Sequence, residues 1–286
     1  MFSPLLQTLL GAFCLCSFIT HHQEPAAALS LAIIMGGGGG DEMGDTSMEL
    51  QADKTIKTRN VVEHTVIFQF KPNVTDKVKQ DIVDGLWSLD EQCREQVQAT
   101  SLGYILHPEQ AKGAAIGLYM RFFSKEALQE YMNGGPKSKV VDIMIPHMTG
   151  EITVDFESQI EDNENSVYRK GKAFAGGIEH IVYIKVKERT SQDAIDEMVK
   201  ALNDLNFAPE LSSLLVQITA GANFCKVDNR YTHAFVARCP SVEAVQSFSS
   251  HPYYIDVFSK KVLPILEASL TADYVVDRVR RLTALL

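Results

Sequence analysis

Two segments of the chain alternate between apolar and polar side chains in the same way. Val62–Phe68 and Ile178–Ile184 match position by position, and each carries Glu-His directly after its first residue. A period of two predicts a β-strand with two different faces. The faces that carry the histidine comprise His64, Val66, Phe68 and Phe70 in the first copy and His180, Val182, Ile184 and Val186 in the second. The repetition predicts a chain that contains the same unit twice.

The pattern after each of these strands predicts a helix, two strands, further helices and a last strand. Thr75 and Ser191 carry hydroxyls that can cap a helix, and apolar residues follow both at helical spacing. Ser124 and Ser241 mark the start of shorter helices in the same way. The later strands are predicted at Gln96–Leu106, Ala114–Phe123 and Gly150–Phe156, then at Leu211–Gly221, Tyr231–Arg238 and Ser269–Val276, and the second helical pieces at Lys137–Ile145 and Tyr253–Glu267. The predicted fold class is therefore α+β, with two tandem ferredoxin-like βαββαβ units.

Each predicted sheet has helices on one face only, so its other face needs cover. Ile67, Ile181 and Tyr183 lie on these outer faces. We expect the two sheets to pack on each other as an intrachain pseudo-dimer, with a homodimer of two chains left open. Two independent domains joined by a linker are the alternative.

The repeat and the polar stretches around it predict five parts of the chain. They are an unfolded leader (1–60), a first domain (61–158), a linker (159–175), a second domain (176–279) and a tail (280–286). Residues 1–34 are rich in apolar and small residues, but the first Lys or Arg is Lys54. We expect a cytoplasmic protein, with chloroplast or secretory targeting by residues 1–34 and translation from Met35 left open.

Charge and cysteine content exclude several classes of function. The formal net charge is −9 and the sequence pI about 5.4, which argues against a nucleic-acid partner because such proteins usually present a basic face to phosphate. The five cysteines contain no C-x-x-C pair, so they predict free thiols and no zinc site. The apolar run in the leader is too short to span a bilayer, so we expect no membrane span.

Three motifs resemble the stress-response α/β-barrel (Dabb) family. They are the Glu-His at the start of each copy, Tyr231-Thr232-His233, and His251-Pro252-Tyr253-Tyr254. The first copy keeps His64 but has Ile116-Gly117-Leu118 and Gly134-Gly135-Pro136 at the other two places. The tandem layout is similar to that of plant proteins with two such domains. The resemblance implies a dimeric-type α/β barrel, closed here within one chain.

The resemblance also implies where a ligand pocket lies, between the sheet and the helices. The best-understood plant enzyme of the family uses a histidine and a tyrosine as acid/base groups, and this chain has Tyr254 and Phe248 at those two positions. Because phenylalanine cannot transfer a proton and tyrosine is a poor base near neutral pH, we assign no catalytic residue. The candidates for a ligand pocket are His180, His233, Phe248, His251 and Tyr254.

The candidate residues have a plainer interpretation beside the functional one. We expect the imidazoles of His180 and His233 to meet in an apolar pocket if both strand faces turn toward the helices, but both also fit the role of core histidines. His251 precedes a proline and fits a helix-entry position. We expect no cofactor and no metal, although the resemblance allows a magnesium ion near Asp204 and Asn206 at a helix end.

The expected function is that of a stress-response barrel protein that binds a small apolar molecule or a protein partner without catalysis. The alternative is a cofactor-independent, cyclase-like enzyme for a small aromatic or polyketide-like substrate, with His180 or His233 as base and Tyr254 as acid. A third hypothesis is an assembly module that pairs through outer-face residues such as Tyr183 and Ile181.

Overall fold

The computed structural model describes residues 58–161, 176–226, 228 and 230–276, which form two units with the same order of elements. The first unit contains β1 (Thr58–Phe70), α1 (Asp76–Gln92), β2 (Val97–Tyr104), β3 (Ala114–Phe122), α2 (Lys125–Asn133), α3 (Gly135–Met144) and β4 (Met148–Glu161). The second contains β5 (Ile178–Val186), α4 (Gln192–Asp204), β6 (Gln217–Ala222), β7 (His233–Cys239), α5 (Val242–Ser250), α6 (Pro252–Val257) and β8 (Leu266–Val275). The prediction of two βαββαβ units is confirmed.

Serine and threonine side chains start four of the helices. The hydroxyls of Thr75, Ser124, Ser191 and Ser241 each accept a hydrogen bond from the backbone N–H three residues later, at the N-termini of α1, α2, α4 and α5. Such a bond satisfies one of the donors that a helix leaves free in its first turn. The predicted caps are therefore confirmed.

Each unit forms one antiparallel four-stranded sheet, in the orders β2-β3-β1-β4 and β6-β7-β5-β8. One face of each sheet packs on the helices of its own unit. The other faces pack on each other, and a single core there contains Ile67 and Tyr119 from the first unit with Ile181, Tyr183 and Tyr274 from the second. The intrachain pseudo-dimer is thus present, and the alternative of two independent domains is wrong. Tyr183 and Ile181 are fully buried inside this core, so they are not exposed for pairing with other molecules.

The sheets meet edge to edge along two seams. At the seam between β2 and β8, Ile105 forms a β-bridge with Tyr274, and the N–H of Leu106 donates to the Asp273 carbonyl at 2.8 Å. At the seam between β4 and β6, the N–H of Phe224 donates to the Asp155 carbonyl, also at 2.8 Å. These contacts close the two sheets into one barrel.

Four fully buried charged residues lie between the sheets. Each unit places a glutamate of its first strand opposite an arginine of its third, as the pairs Glu63–Arg121 and Glu179–Arg238. The Arg121 Nη2 lies 2.6 Å from Glu63 Oε1, and the Arg238 Nε lies 3.3 Å from Glu179 Oε1. Gln217 accepts from both guanidinium groups, at 3.0 and 3.2 Å, and so connects the two pairs.

Several predicted boundaries differ from the structure. The strand predicted from Leu211 begins only at Gln217, because a 3₁₀ turn at Pro209–Leu211 ends at Leu211 and turn residues follow it. The helical piece predicted at Tyr253–Glu267 is divided, since α6 ends at Val257 and a π-helical segment (Phe258–Val262) and a 3₁₀ turn follow.

The long pairing of β1 with β4 changes the predicted ends of the first domain. Thr58 pairs with Glu161 and Asn60 with Gln159, so residues 58–60 and 159–161 are strand and not leader or linker. The rest of the predicted leader and linker, the last residues of the predicted second domain (277–279) and the predicted tail (280–286) lie outside the described residues. Among the helices that are described, none has the length and apolar character needed to cross a membrane.

Candidate functional site

Three of the five predicted pocket residues lie together in the second unit. His180 on β5, Phe248 on α5 and Tyr254 on α6 pack between the sheet and the helices. Ring centroids are 6.1 Å apart for His180 and Phe248 and 4.5 Å apart for Phe248 and Tyr254, and all three side chains are buried. The aromatic rings of Phe248 and Tyr254 therefore fill the space beside the imidazole.

His180 is held by a carboxylate on the neighbouring strand. Its Nδ1 lies 2.6 Å from Asp273 Oδ1 on β8, and the first unit repeats this arrangement with His64 and Asp155, again at 2.6 Å. In both units the strand register places the carboxylate directly opposite the histidine. The His–Asp pair is thus a property of the repeated unit.

Two polar atoms in this cluster have no partner among the described residues. They are His180 Nε2 and the Tyr254 hydroxyl, both buried. Burial, with a smaller contribution from Asp273, raises the pKa of Tyr254 well above its usual value. Tyr254 is therefore a neutral phenol that can donate a proton in a hydrogen bond but cannot act as a base near neutral pH.

His233 lies at the other end of the sheet. His180 pairs with Ala237 and His233 with Ile184, so four positions along β7 separate the two histidines, about 13 Å at the usual rise per residue. The expectation that the two imidazoles meet is therefore wrong, although both belong to the face that carries the helices.

Thr232 contacts the Nδ1 nitrogen of His233. The Thr232 hydroxyl oxygen accepts from the Val186 N–H, and it lies 3.2 Å from the Ile184 carbonyl oxygen and 2.9 Å from His233 Nδ1. A proton on Nδ1 satisfies all of these contacts and leaves Nε2 as an acceptor, which is buried with no partner among the described residues. Burial lowers the pKa of His233 despite the opposing effect of Asp196, so the ring is neutral at pH 7.

His251 does not join either group. It is the N-cap of α6, and its Nδ1 accepts from the Tyr253 N–H at 3.3 Å. The structure thus places His251 at a helix start, and places His180 and His233 in separate surroundings.

A groove of about 790 Å³ lies beside His233. Its walls are α4, the edge strand β6 and the end of β4, so both units contribute to it at the seam between β4 and β6. The apolar side chains along it include Ile195, Val199, Ile218 and Ala220. His180, Phe248 and Tyr254 do not line it.

The charged groups of the groove are mostly paired with one another. Lys125 lies 2.6 Å from Glu157 and Lys200 lies 2.5 Å from Asp204. The Asp196 carboxylate accepts from the Gln192 amide at 2.8 Å. The interior beside His233 therefore offers apolar contacts and hydrogen-bond acceptors rather than a free cation.

Two asparagines of the segment around α4 cover the backbone of β6. Asn203 accepts from the Ala220 N–H and donates to the Ala220 carbonyl, each at 3.0 Å, and Asn206 accepts from the Ile218 N–H at 3.2 Å. These side chains satisfy backbone groups on the edge of β6 that faces away from β7.

The side-chain oxygens that could hold a magnesium ion at this helix end have other partners. The Asn206 oxygen is engaged by Ile218 and the Asp204 carboxylate by Lys200. No group of three or more His, Cys, Asp or Glu side chains that could hold a metal ion occurs in the part of the chain that the structure describes. These residues do not fit a magnesium site.

His233 was predicted from the sequence as a pocket residue, but most of the other groove residues were not. The alternation on β7 was enough to place His233 on the helix-facing side of the sheet. The contribution of Glu157–Ile160 and Lys125 depends on how the first unit meets the second, which no local pattern indicates.

Sequence comparison matches both halves of the chain to one domain family. The model of the stress responsive A/B barrel domain (Dabb) matches residues 62–158 and 178–276. A stress-response A/B barrel domain-containing protein of Arabidopsis thaliana is 30% identical over 102 residues, which is 36% of this chain. The match spans 38% of the length of the Arabidopsis protein, so it concerns a part of that protein.

Comparison with solved structures finds the same barrel. A putative monooxygenase from Lactobacillus acidophilus matches with a TM-score of 0.53 and 13% identity, over 78% of this chain and 97% of that chain. Another from Fusobacterium nucleatum matches with a TM-score of 0.54 and 10% identity, over 78% and 94%. At these identities the likeness shows the fold alone.

Proposed function

Because the chain belongs to the stress responsive A/B barrel domain family, with two tandem copies of the domain, we propose that it binds a small, mainly apolar molecule in the groove between α4, β6 and β4. The observation that carries the proposal is this groove, whose apolar side chains lead to a neutral imidazole with a bare acceptor nitrogen. Its volume is in the range of small-molecule sites in proteins.

The surroundings of His233 limit the chemistry of the ligand. Nε2 of His233 is a hydrogen-bond acceptor to which no described residue donates, and the nearby Asp196 carboxylate is a second acceptor. Because Nε2 is buried in the structure, the proposal requires that the His233 ring turn on binding so that Nε2 meets a ligand hydroxyl or N–H at the groove wall. We therefore expect an apolar molecule that carries a hydrogen-bond donor, such as a phenol or a terpenoid alcohol, rather than a phosphate or a carboxylate.

The proposed role is binding without catalysis. The position beside His180 where an acid/base pair would act is filled by Phe248 and Tyr254, and Tyr254 is a neutral phenol. In the groove, Nδ1 of His233 contacts Thr232, and no hydroxyl or thiol among the described residues lies within hydrogen-bond distance of its Nε2.

Native mass spectrometry of the full chain, incubated with a panel of small phenols and terpenoid alcohols, tests the proposal. We expect a one-to-one complex that Val199→Trp abolishes, because the indole would occupy the groove. Ile143→Trp on α3, an exposed position outside the groove, should bind like the natural chain.

The same spectra report the number of chains in the particle. The partner-binding alternative would be favoured if no probe forms a complex and the mass of the particle increases only when another protein is added. Binding that Val199→Trp leaves intact would place the ligand elsewhere.

A specific observation also favours the enzyme alternative as a second candidate. His180 has the Asp273 carboxylate on one nitrogen and an unpartnered second nitrogen, in a cluster that also contains the unpartnered Tyr254 hydroxyl. A substrate that displaced the Phe248 ring would meet a base and an acid there. Turnover of a polyketide-like thioester that disappears in His180→Ala and in Tyr254→Phe would support this candidate, and turnover that survives both would contradict it.

A further inference from the structure

The groove of the proposed function continues around one edge of β6 into the space between the two sheets. Ile218 and Ala220 belong to the core beneath the helices of the second unit. Thr219 lies between them in sequence and pairs with Val236, a residue of the core between the sheets. Residues that pair directly in an antiparallel sheet lie on the same face, so the Thr219 side chain points between the sheets. Because all three residues of β6 line the groove, it has an outer part under α4 and an inner end between the sheets.

The hydroxyl of Thr219 has no hydrogen-bond partner among the described residues, although its oxygen is buried. Ser101 on β2 is its counterpart in the first unit, since strand pairing places both in line with the residue after the histidine of the first strand, Thr65 or Ile181. The two hydroxyls can therefore be compared directly, because the same place in the unit carries both.

The two seams differ in one aromatic residue. Ser101 donates to the Glu179 carboxylate at 3.0 Å, and its oxygen lies 2.9 Å from the hydroxyl of Tyr274 on β8. At the seam beside the groove the place of Tyr274 is taken by Phe156 on β4, since each follows the aspartate that binds the histidine of its unit. Phenylalanine has no hydroxyl, so Thr219 lacks the partner that Tyr274 provides for Ser101. A buried hydroxyl without a partner destabilises the folded state, and a ligand that accepts from it would remove this effect.

The other groups at the inner end favour a neutral acceptor in the ligand. Ser158 and Gln217 also line the groove, but both are engaged in the polar core. The Ser158 hydroxyl donates to the Glu63 carboxylate at 2.8 Å, and the Gln217 oxygen accepts from Arg121 at 3.0 Å. The lysines that line the groove are paired with acidic residues. A ligand carboxylate would therefore lose water without gaining an ion pair, whereas a carbonyl oxygen carries no charge and can accept from a threonine hydroxyl.

We propose that Thr219 is a second recognition residue of the groove, whose hydroxyl donates a hydrogen bond to a carbonyl oxygen of the ligand. This role rests on the proposed function, in which a donor elsewhere on the ligand meets His233. Thr219 lies three positions along β6 from Ala222, the residue paired with His233, about 10 Å at the usual rise per residue. The ligand class is therefore an elongated apolar molecule that passes along the edge of β6, with a hydroxyl near one end and a carbonyl near the other.

Isothermal titration calorimetry with two matched probes tests the role of Thr219 in the full chain. Both probes are bibenzyls with a para hydroxyl on one ring, and the other ring carries a para acetyl group in one probe and a para ethyl group in its match. We expect the natural chain to bind the acetyl probe about 3- to 10-fold more tightly, the contribution of one hydrogen bond. Thr219→Val should bind both probes with equal affinity, because valine keeps the shape of threonine and lacks the hydroxyl.

Two further variants serve as controls. Thr219→Ser keeps a hydroxyl and should keep the preference for the acetyl probe. Thr100→Val should bind like the natural chain, because the Thr100 hydroxyl is also buried without a partner among the described residues but lies outside the groove. Thermal unfolding confirms that each variant is folded.

The outcomes separate the role of Thr219 from the proposed function. Equal affinity of the natural chain for the two probes, or a preference that persists in Thr219→Val, would overturn the role of Thr219 and leave binding in the groove intact. A natural chain that binds neither probe would contradict the proposed function and the role of Thr219 together.

Discussion

Tyr119 and Tyr254 are both buried phenols, yet their hydroxyls are in opposite situations. The Tyr119 hydroxyl donates to the Glu63 carboxylate in the core between the sheets. The Tyr254 hydroxyl has no partner among the described residues. A buried polar group without a hydrogen-bond partner destabilises the folded state. Removing a group from a buried hydrogen bond also destabilises the folded state, because the remaining partner is then left unpaired.

This contrast gives a prediction for two substitutions of the same kind. Tyr254→Phe should leave the free energy of unfolding unchanged or raise it by up to about 1 kcal/mol, because an unsatisfied hydroxyl is lost. Tyr119→Phe should lower it by about 1–3 kcal/mol, because the Glu63 carboxylate loses a donor. Urea unfolding of both variants measures the difference, and equal effects would show that the Tyr254 hydroxyl has a partner.

The burial of neutral His233 makes stability depend on pH. Its pKa is lowered in the folded state from a usual value of 6.5, so below that pH the unfolded chain binds more protons at this residue than the folded chain does. The stability that His233 contributes is complete above pH 6.5 and is lost as the pH falls through the folded-state pKa.

The pH prediction is tested by comparing variants. His233→Leu should show a smaller loss in the free energy of unfolding between pH 7 and pH 5 than the natural chain. Ile184→Val, which changes the residue paired with His233 on β5 and removes no ionisable group, should keep the natural slope. If the free energy of unfolding of His233→Leu changes with pH as much as that of the natural chain, His233 has the same pKa in the folded and the unfolded state.

At the scale of elements, the Asn203 side chain of α4 binds the edge of β6 with the pair of hydrogen bonds that a neighbouring strand would form. Asn203 exchanges two hydrogen bonds with the backbone of Ala220, at the wall of the groove. The helix therefore supports the edge strand and also defines the width of the groove.

Asn203→Ala should leave the backbone of Ala220, on the edge of β6, without its side-chain hydrogen bonds. We expect a loss of about 1–3 kcal/mol in the free energy of unfolding, because the Ala220 N–H and carbonyl lose their partner. Hydrogen exchange of the Ala220 amide should accelerate, and Asp204→Ala, which removes only an exposed pair with Lys200, should leave it unchanged. Unchanged exchange in Asn203→Ala would show that water replaces the side chain without cost.

At the scale of the whole molecule, the two seams need residues without a side chain. A Cβ on Gly221 would lie 2.7 Å from the Glu157 carbonyl oxygen and 2.8 Å from the Phe156 ring. A Cβ on Gly103 would lie 2.2 Å from the Val275 carbonyl oxygen at the other seam. The close approach of backbone to backbone is what lets one barrel form from two sheets.

Gly221→Ala should therefore separate β6 from β4. We expect a loss of about 1–3 kcal/mol in the free energy of unfolding, as for other overpacked positions, together with weaker ligand binding in the groove. Gly135→Ala is the matched control, because nothing lies within 4 Å of its Cβ position. Thermal unfolding of both variants makes the comparison, and equal stability would show that the seam can widen freely.

Local patterns were sufficient for most of the elements and for part of the candidate site. The hydroxyls of Thr75 and Ser191 marked their helices because capping depends on residues within one turn. Of the five residues predicted to line one pocket, His180, Phe248 and Tyr254 lie together, and their role in binding a ligand stays a prediction. The position of His233 relative to His180 was not predicted, because it depends on the register of β7 against β5.

The sequence by itself determined the repeated unit, its strand faces and the need to cover the second face of each sheet, since these follow from residue spacing within one copy. Only the tertiary structure decided that Glu63–Arg121 and Glu179–Arg238 meet through Gln217, and that the groove opens where β4 approaches β6. Contacts between the copies join residues far apart in the chain, and their geometry is set by the packing of whole sheets, which no short-range pattern of side chains encodes.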